Sequence, residues 1–321
     1  MKMIVAAALI LGAALLPASA ADATPPWSAA DVTLGDGDAA LHGTLITPGA
    51  QASGFDAVLI LSGSGPTDRD GNGPKMKNDS LKMLAEQLGA RGIATLRVDK
   101  RGVAASAKAG PKEEDLRFET YIDDARNWLA LLKNQPGVKR VFIVGHSEGA
   151  LIGAVVAQDE GVAGYVSLAG ASLPAADILR RQLRSGPNGE QALALAEPTL
   201  AKLEKGELDP NASPLLAMLF RASVQPYLIS WFRYDPRQEI AKIPGRVAIV
   251  QGTTDIQVLM ADAETLKAAR PDAAYVVIEG MNHILKEAPE DRAANIATYT
   301  NPGLPLAPGI LDAVANFVQQ P

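Results

Sequence analysis

The stretch VFIVGHSEGALIGA, residues 141–154, decides how the rest of the chain is read. Four strong β-formers, Val141 to Val144, run into Gly145, and a serine follows between two polar neighbours. Small apolar residues resume at Gly149. A buried strand that passes at once into an Ala- and Gly-rich helix puts Ser147 on a sharp corner between the two. Glycines at 145 and 149 permit the tight turn and a close approach of helix to strand. An ordinary strand-to-helix turn would need no such serine. The G-x-S-x-G spacing in this context is that of a nucleophile elbow, in which the serine Oγ stands clear of the sheet.

Outward from this corner, short continuous apolar runs recur at residues 57–61, 93–98, 164–168, 247–250 and 274–278. Unbroken apolar runs are expected of strands covered by helices on both faces. Amphipathic segments lie between them. In residues 119–135, Ile122, Ala125, Trp128, Leu129 and Leu132 share a helical face, with Asp123, Asp124 and Arg126 opposite. Strand–helix alternation predicts an α/β fold with a mostly parallel central sheet flanked by helices. Residues 31–49 alternate apolar and polar positions around Gly35-Asp36-Gly37, which predicts an N-terminal β-hairpin ahead of the sheet. A helix over residues 309–319 should close the domain. Residues 172–243 separate two successive strands by far more chain than a crossover needs, and read as an inserted helical cap broken at Pro187, Pro198 and Pro210. The expected catalytic domain is therefore residues 21–171 joined to 244–321.

Composition narrows the class. The 321 residues are 47% hydrophobic and 21% charged, with a formal net charge of −6. No basic block is present, which argues against a nucleic-acid partner. Lys2, an apolar run from Met3 to Leu16 and the small-residue site Ala18-Ser19-Ala20 have the layout of a cleavable signal peptide over residues 1–20. The expected location is periplasmic or secreted, with no stable membrane span after cleavage. The chain has no cysteine, so disulfides and thiolate metal sites are excluded.

A serine hydroxyl needs a positioned base, and the chain offers three histidines. His42 lies in the hairpin, and the His146 side chain should leave the elbow in another direction. His283 stands just past the last strand, where a loop can carry it over the sheet edge. Asp255, a few residues beyond the 247–250 strand, is the favoured acid to orient it; Asp262 and Glu264 lie further along, on the next helix. The order Ser147, Asp255, His283 is that of one known class of triad hydrolases. For the oxyanion, the backbone N–H of Glu148 and that of Ser64, in the loop after the first long strand, are the expected donors.

These residues resemble the α/β-hydrolase superfamily, within its serine-aminopeptidase-like and lysophospholipase-like cluster. Bacterial carboxylesterases with a G-S-G-P-x-D-R-D loop are the nearest likeness; here that loop runs from Gly63 to Asp70. The stretch DKRGVAAS, residues 99–106, is similar to the D-x-R-G-x-G-x-S segment of that group, with Ala104 where a glycine is commoner. The resemblance spans residue 31 to the C-terminus except the cap. It implies a Ser-Asp-His triad on a central sheet and no cofactor, and leaves the substrate open.

Two further signals compete for attention. Asp68, Asp70, Asn72, Gly73 and Asp79 fall at the spacing of a calcium loop, although no helix precedes them; a turn bracing the oxyanion loop is the alternative. Phe220, Tyr227, Trp231, Phe232 and Tyr234 cluster in the cap, either as its own core or as an apolar pocket above Ser147. The expected activity is hydrolysis of a small-molecule carboxylic ester through an acyl-enzyme. A serine aminopeptidase of the same fold and an acyltransferase are the alternatives.

Overall fold

The computed structural model describes residues 25–49, 54–186 and 188–321, so residues 1–20, where a signal peptide is expected, and Pro187 lie outside the described residues. One sheet contains β1 (Trp27–Leu34), β2 (Leu41–Pro48), β3 (Phe55–Leu61), β4 (Ala94–Val98), β5 (Val138–His146), β6 (Val162–Leu168), β7 (Arg246–Gly252) and β8 (Ala274–Ile278). Their spatial order is β1-β2-β4-β3-β5-β6-β7-β8. Strands β3 to β8 are mutually parallel, and β1 and β2 join antiparallel at one edge. All six apolar runs are strands. The hairpin is not a separate preface: β2 pairs with β4, from Gly43 opposite Val98 to Ile46 opposite Thr95, and continues the sheet.

Helices are α1 (Ser80–Ala90), α2 (Phe118–Lys133), α3 (Glu148–Val156), α4 (Ala175–Ser185), α5 (Gly189–Glu204), α6 (Ala217–Phe220), α7 (Gln225–Trp231), α8 (Pro236–Ala241), α9 (Met260–Ala269), α10 (Arg292–Ala297) and α11 (Ile310–Gln319). They cover the sheet on two faces. Successive strand side chains point to opposite sides. Ala57, Leu59 and Leu61 of β3 therefore join one core, with α2, α3 and α9, while Val58 and Ile60 join another, with α1 and α11. Both faces of β3 to β7 are buried along most of their length, which is why the sequence there is mainly apolar. Edge strand β8 departs from that pattern, with Ala274 and Val277 exposed.

Two sequence expectations are corrected by packing. Asp124 is buried rather than opposite the apolar face of α2, because Arg101 reaches it (Nε to Oδ2, 2.7 Å) and supplies the counter-charge burial requires. Pro198 does not break the cap; it lies inside α5. The bond lost with its N–H is outweighed by burial of Leu193, Ala196, Leu200 and Leu203 on the same helix. Arg180 of α4 further binds Glu197 and Glu204 of α5 at 2.7–3.0 Å.

The segment between β6 and β7 holds α4 to α8. Its aromatics do not form an isolated core. Phe118, fully buried at the start of α2, has the rings of Tyr227, Trp231 and Tyr234 around it at 6.3, 6.0 and 5.0 Å. The Phe118 N–H also donates to Ser230 Oγ at 2.8 Å. This cluster fastens the inserted helices to the main domain. Phe118→Ala should lower unfolding free energy by about 3–5 kcal/mol, read by urea denaturation, because the ring's neighbours cannot all collapse into the vacated space.

Candidate active site

Strand β5 delivers the chain to Ser147 and α3 leads it away. Between them Ser147 has φ 56° and ψ −119°, a left-handed conformation that costs a side-chain-bearing residue about 1–3 kcal/mol. The glycines around it are required by space. A Cβ on Gly145 would lie 2.2 Å from the Gly149 carbonyl oxygen, and one on Gly149 would lie 2.4 Å from that of Leu61. The corner is held from below by the Ser147 N–H, which donates to the Leu168 carbonyl of β6 at 3.0 Å.

Asp255 follows β7 and His283 follows β8, so the parallel sheet brings both loops to the same end as the elbow. His283 Nδ1 donates to Asp255 Oδ2 at 2.8 Å, with both residues buried. The other carboxylate oxygen accepts the N–H groups of Gln257 (2.8 Å) and Val258 (2.9 Å). Burial pushes the Asp255 carboxyl up, but the neighbouring His283 and these donors outweigh it and hold it below the usual carboxylate value. The histidine loop is anchored by Asn295, whose Nδ2 donates to the Thr254 carbonyl at 2.8 Å while its Oδ1 accepts from Asn282 at 3.2 Å. With Nδ1 committed to Asp255, His283 Nε2 is left to accept a proton. Ser147 and His283 line one pocket without a direct hydrogen bond between them; such bonds often tighten only with substrate in place. Asp262, the other carboxylate considered, is used elsewhere: it accepts from Ser172 and the Leu259 N–H and pairs with Arg181.

His146 is closer to the site than the sequence suggests. Its ring centroid lies 4.9 Å from that of His283, and its Nε2 donates to the His283 carbonyl at 2.7 Å. Full burial, reinforced by the His283 charge, pushes its imidazole down to about 4. His42 lies on β2 with its N–H on Ser106 Oγ, away from this pocket.

The two expected oxyanion arms meet at the elbow. Glu148 is the first residue of α3, so its N–H has no intrahelical acceptor. A Cβ built on Gly63 would lie 3.1 Å from Ser147 Cβ, which places the Gly63–Ser64 peptide against that serine. A residue that the sequence reading passed over sits behind them. Lys100, buried just past β4, donates to the Gly63 carbonyl at 2.5 Å, and its Nζ stands 3.8 Å from Glu148 Oε1. The signal was available: a lysine between Asp99 and Arg101 directly after an apolar strand. Burial pushes the Lys100 ammonium down and the Glu148 carboxyl up, each opposed by the other's charge.

The Asp68–Asp79 loop is a brace. Asp68 Oδ1 accepts the N–H groups of Asp70 (2.9 Å) and Asn72 (2.8 Å), and Asp70 pairs with Arg97 of β4. Arg69 donates to Asp99 through both its backbone N–H and its guanidinium, each at 2.8 Å. Loop carboxylates are thus taken up by backbone and arginine donors. The loop then supplies Gly71 and Met76, and Thr67 just before it, to the wall of the pocket holding Ser147. Gln257, Ile284 and Tyr299 line the opposite side, with Gln257 Nε2 on the Tyr299 hydroxyl at 3.0 Å. Among the described residues none of 172–243 lines this pocket, so the cap aromatics are not part of its wall.

The His146 environment gives a pH expectation. Folded His146 stays neutral to about pH 4, whereas the unfolded chain takes up a proton near pH 6.5. Stability is therefore full above about pH 6.5 and declines as pH falls towards 4, by up to about 3 kcal/mol. His146→Gln keeps a donor for the His283 carbonyl and does not titrate. Its urea midpoint should fall less between pH 7 and pH 4.5 than that of the wild type.

Comparison with known proteins agrees with this architecture. Esterase EstD of Thermotoga maritima is 28% identical over 241 residues, covering 72% of this chain. The match spans 55% of that relative's own length. Among solved structures, a hypothetical protein of Pseudomonas aeruginosa superposes with a TM-score of 0.60 at 14% identity, covering 92% of this chain and 94% of that one. Est1E of Butyrivibrio proteoclasticus, with ferulic acid bound, gives 0.55 at 18%, covering 87% and 92%. At these identities the likeness is one of fold. The profile of the Alpha/beta hydrolase family matches residues 58–297, three quarters of the sequence, and the chain belongs to that family.

Proposed function

We propose that this protein is a serine hydrolase of small carboxylic esters. Ser147 Oγ attacks the ester carbonyl while His283 Nε2 takes its proton. Asp255 holds the Nδ1–H tautomer and balances the imidazolium that forms. The Ser64 and Glu148 N–H groups receive the oxyanion. His283 then protonates the leaving alcohol, and water releases the acyl group by the same steps in reverse roles. The buried 2.8 Å contact between His283 and Asp255, and the ester activity named for the Thermotoga maritima relative, support this reading.

The observation that carries the choice of substrate is the pocket wall. Among the described residues it contains no Asp, Glu, Lys or Arg. An aminopeptidase must hold a free α-ammonium, for which a carboxylate facing the pocket is the natural partner. Four carboxylates of the cap are engaged within the cap instead: Glu190 with Arg184, Glu197 and Glu204 with Arg180, and Asp209 with Lys202. An uncharged ester fits such a wall.

A fluorophosphonate probe should label the wild type and not Ser147→Ala. Short-to-medium acyl esters should be cleaved with a higher kcat/KM than any aminoacyl amide; the reverse order would favour the peptidase. Asp255→Asn should fold normally and lose about 10⁴-fold in kcat, since the wrong His283 tautomer is favoured.

Export is a separate part of the proposal, resting on the layout of residues 1–20. N-terminal sequencing of the protein from its native compartment should begin near Ala21, and an intact Met1 would refute it.

A further inference from the structure

Lys100 poses a physical question that the proposed chemistry does not answer. A buried ammonium is costly, and an apolar side chain of similar length would pack behind the elbow without that cost. What the charge holds explains its presence. An ammonium has three donors. One is spent on the Gly63 carbonyl at 2.5 Å, and Nζ faces the Glu148 carboxylate at 3.8 Å. The Tyr121 ring lies 5.5 Å away on another side.

The Gly63 carbonyl and the Ser64 N–H belong to one peptide group, which is planar and trans. Fixing the oxygen on one side therefore fixes the direction of the N–H on the other. The bond from an ammonium also polarises the peptide and makes that N–H a better donor. Glu148, the other contact, carries the second N–H at the start of α3. One side chain thus touches both residues or peptides that supply the two donors.

We propose that Lys100 is the positioning residue of the oxyanion site, aligning the Gly63–Ser64 peptide with the N terminus of α3 so that both N–H groups point at one oxygen. This rests on the reading of the chain as a Ser147 hydrolase. It predicts that Lys100 acts on the transition state more than on substrate binding, because donors aimed at the oxyanion strengthen as the tetrahedral geometry develops.

The test uses p-nitrophenyl ester kinetics and a trifluoromethyl ketone inhibitor on the full chain. Lys100→Met leaves Glu148 as an unpaired buried charge and can fail to fold for that reason alone. The double variant Lys100→Met/Glu148→Gln buries a neutral pair and avoids it. In the double variant, thermal melting should show a folded protein, kcat should fall about ten- to a hundredfold, and KM should change little. Affinity for the ketone, which forms a tetrahedral adduct on Ser147, should fall by a similar factor. If Lys100 serves only to neutralise Glu148, the double variant will be folded with wild-type kcat and ketone affinity, and the proposal is wrong. A rise in KM with kcat unchanged overturns it equally. Wild type and Ser147→Ala run alongside separate the two levels of inference. Absence of Ser147-dependent turnover in the wild type defeats the hydrolase reading and this proposal with it, whereas an unimpaired double variant defeats only the role of Lys100.

Discussion

Everything at the site hangs on the absence of two side-chain atoms. Gly145 and Gly149 face each other, and Gly149 lies against the end of β3, at distances no Cβ allows. That contact lets α3 start immediately above the sheet and forces Ser147 into its left-handed conformation. The same contact brings the β3–α1 loop to Ser147, since Leu61 and Ser62 are the residues Gly149 meets and Gly63 is the next in line. Strain at one residue is held in place by close packing at two others, and the parallel sheet supplies the remaining loops from β7 and β8.

How much of this was legible in the sequence differs from element to element, for physical reasons. Strands β3 to β7 were readable because burial on both faces selects mainly apolar residues, with few exceptions such as Arg97 and Gln251. The elbow was readable because its steric demand selects glycine at fixed spacing. The meeting of the Asp255 and His283 loops followed from topology, since the C-terminal ends of parallel strands lie at one side of the sheet. Long-range pairings were harder to see. Asp124 looked like a solvent-facing acid because Arg101, its partner, lies on a different loop. Lys100 looked like one charge among three, and only the fold shows that it is buried against Gly63. His146 was misjudged because adjacency to Ser147 says nothing about where a side chain goes at a corner. Pro198 reads as a break because propensity is local, while the packing that tolerates it is not.

The cap shows a similar gap between composition and role. A cluster of aromatics over an active site invites the idea of a substrate pocket. Here Tyr227, Trp231 and Tyr234 gather around Phe118 and act as a fastening, and the cap's acids are matched by its own arginines and lysine. The walls around Ser147 come instead chiefly from the loop after β3 and from the loops that carry Asp255 and His283.

That division of labour has a consequence for how such a protein can change. Met76 stands on a loop whose two ends are pinned, by Arg69 to Asp99 near one and by Asn72 to Asp79 near the other. A residue on the span between two fixed abutments can be exchanged without disturbing either. Diversification of what enters the pocket is therefore open at that span, while the helical insertion is free to drift under a different constraint, that of staying attached.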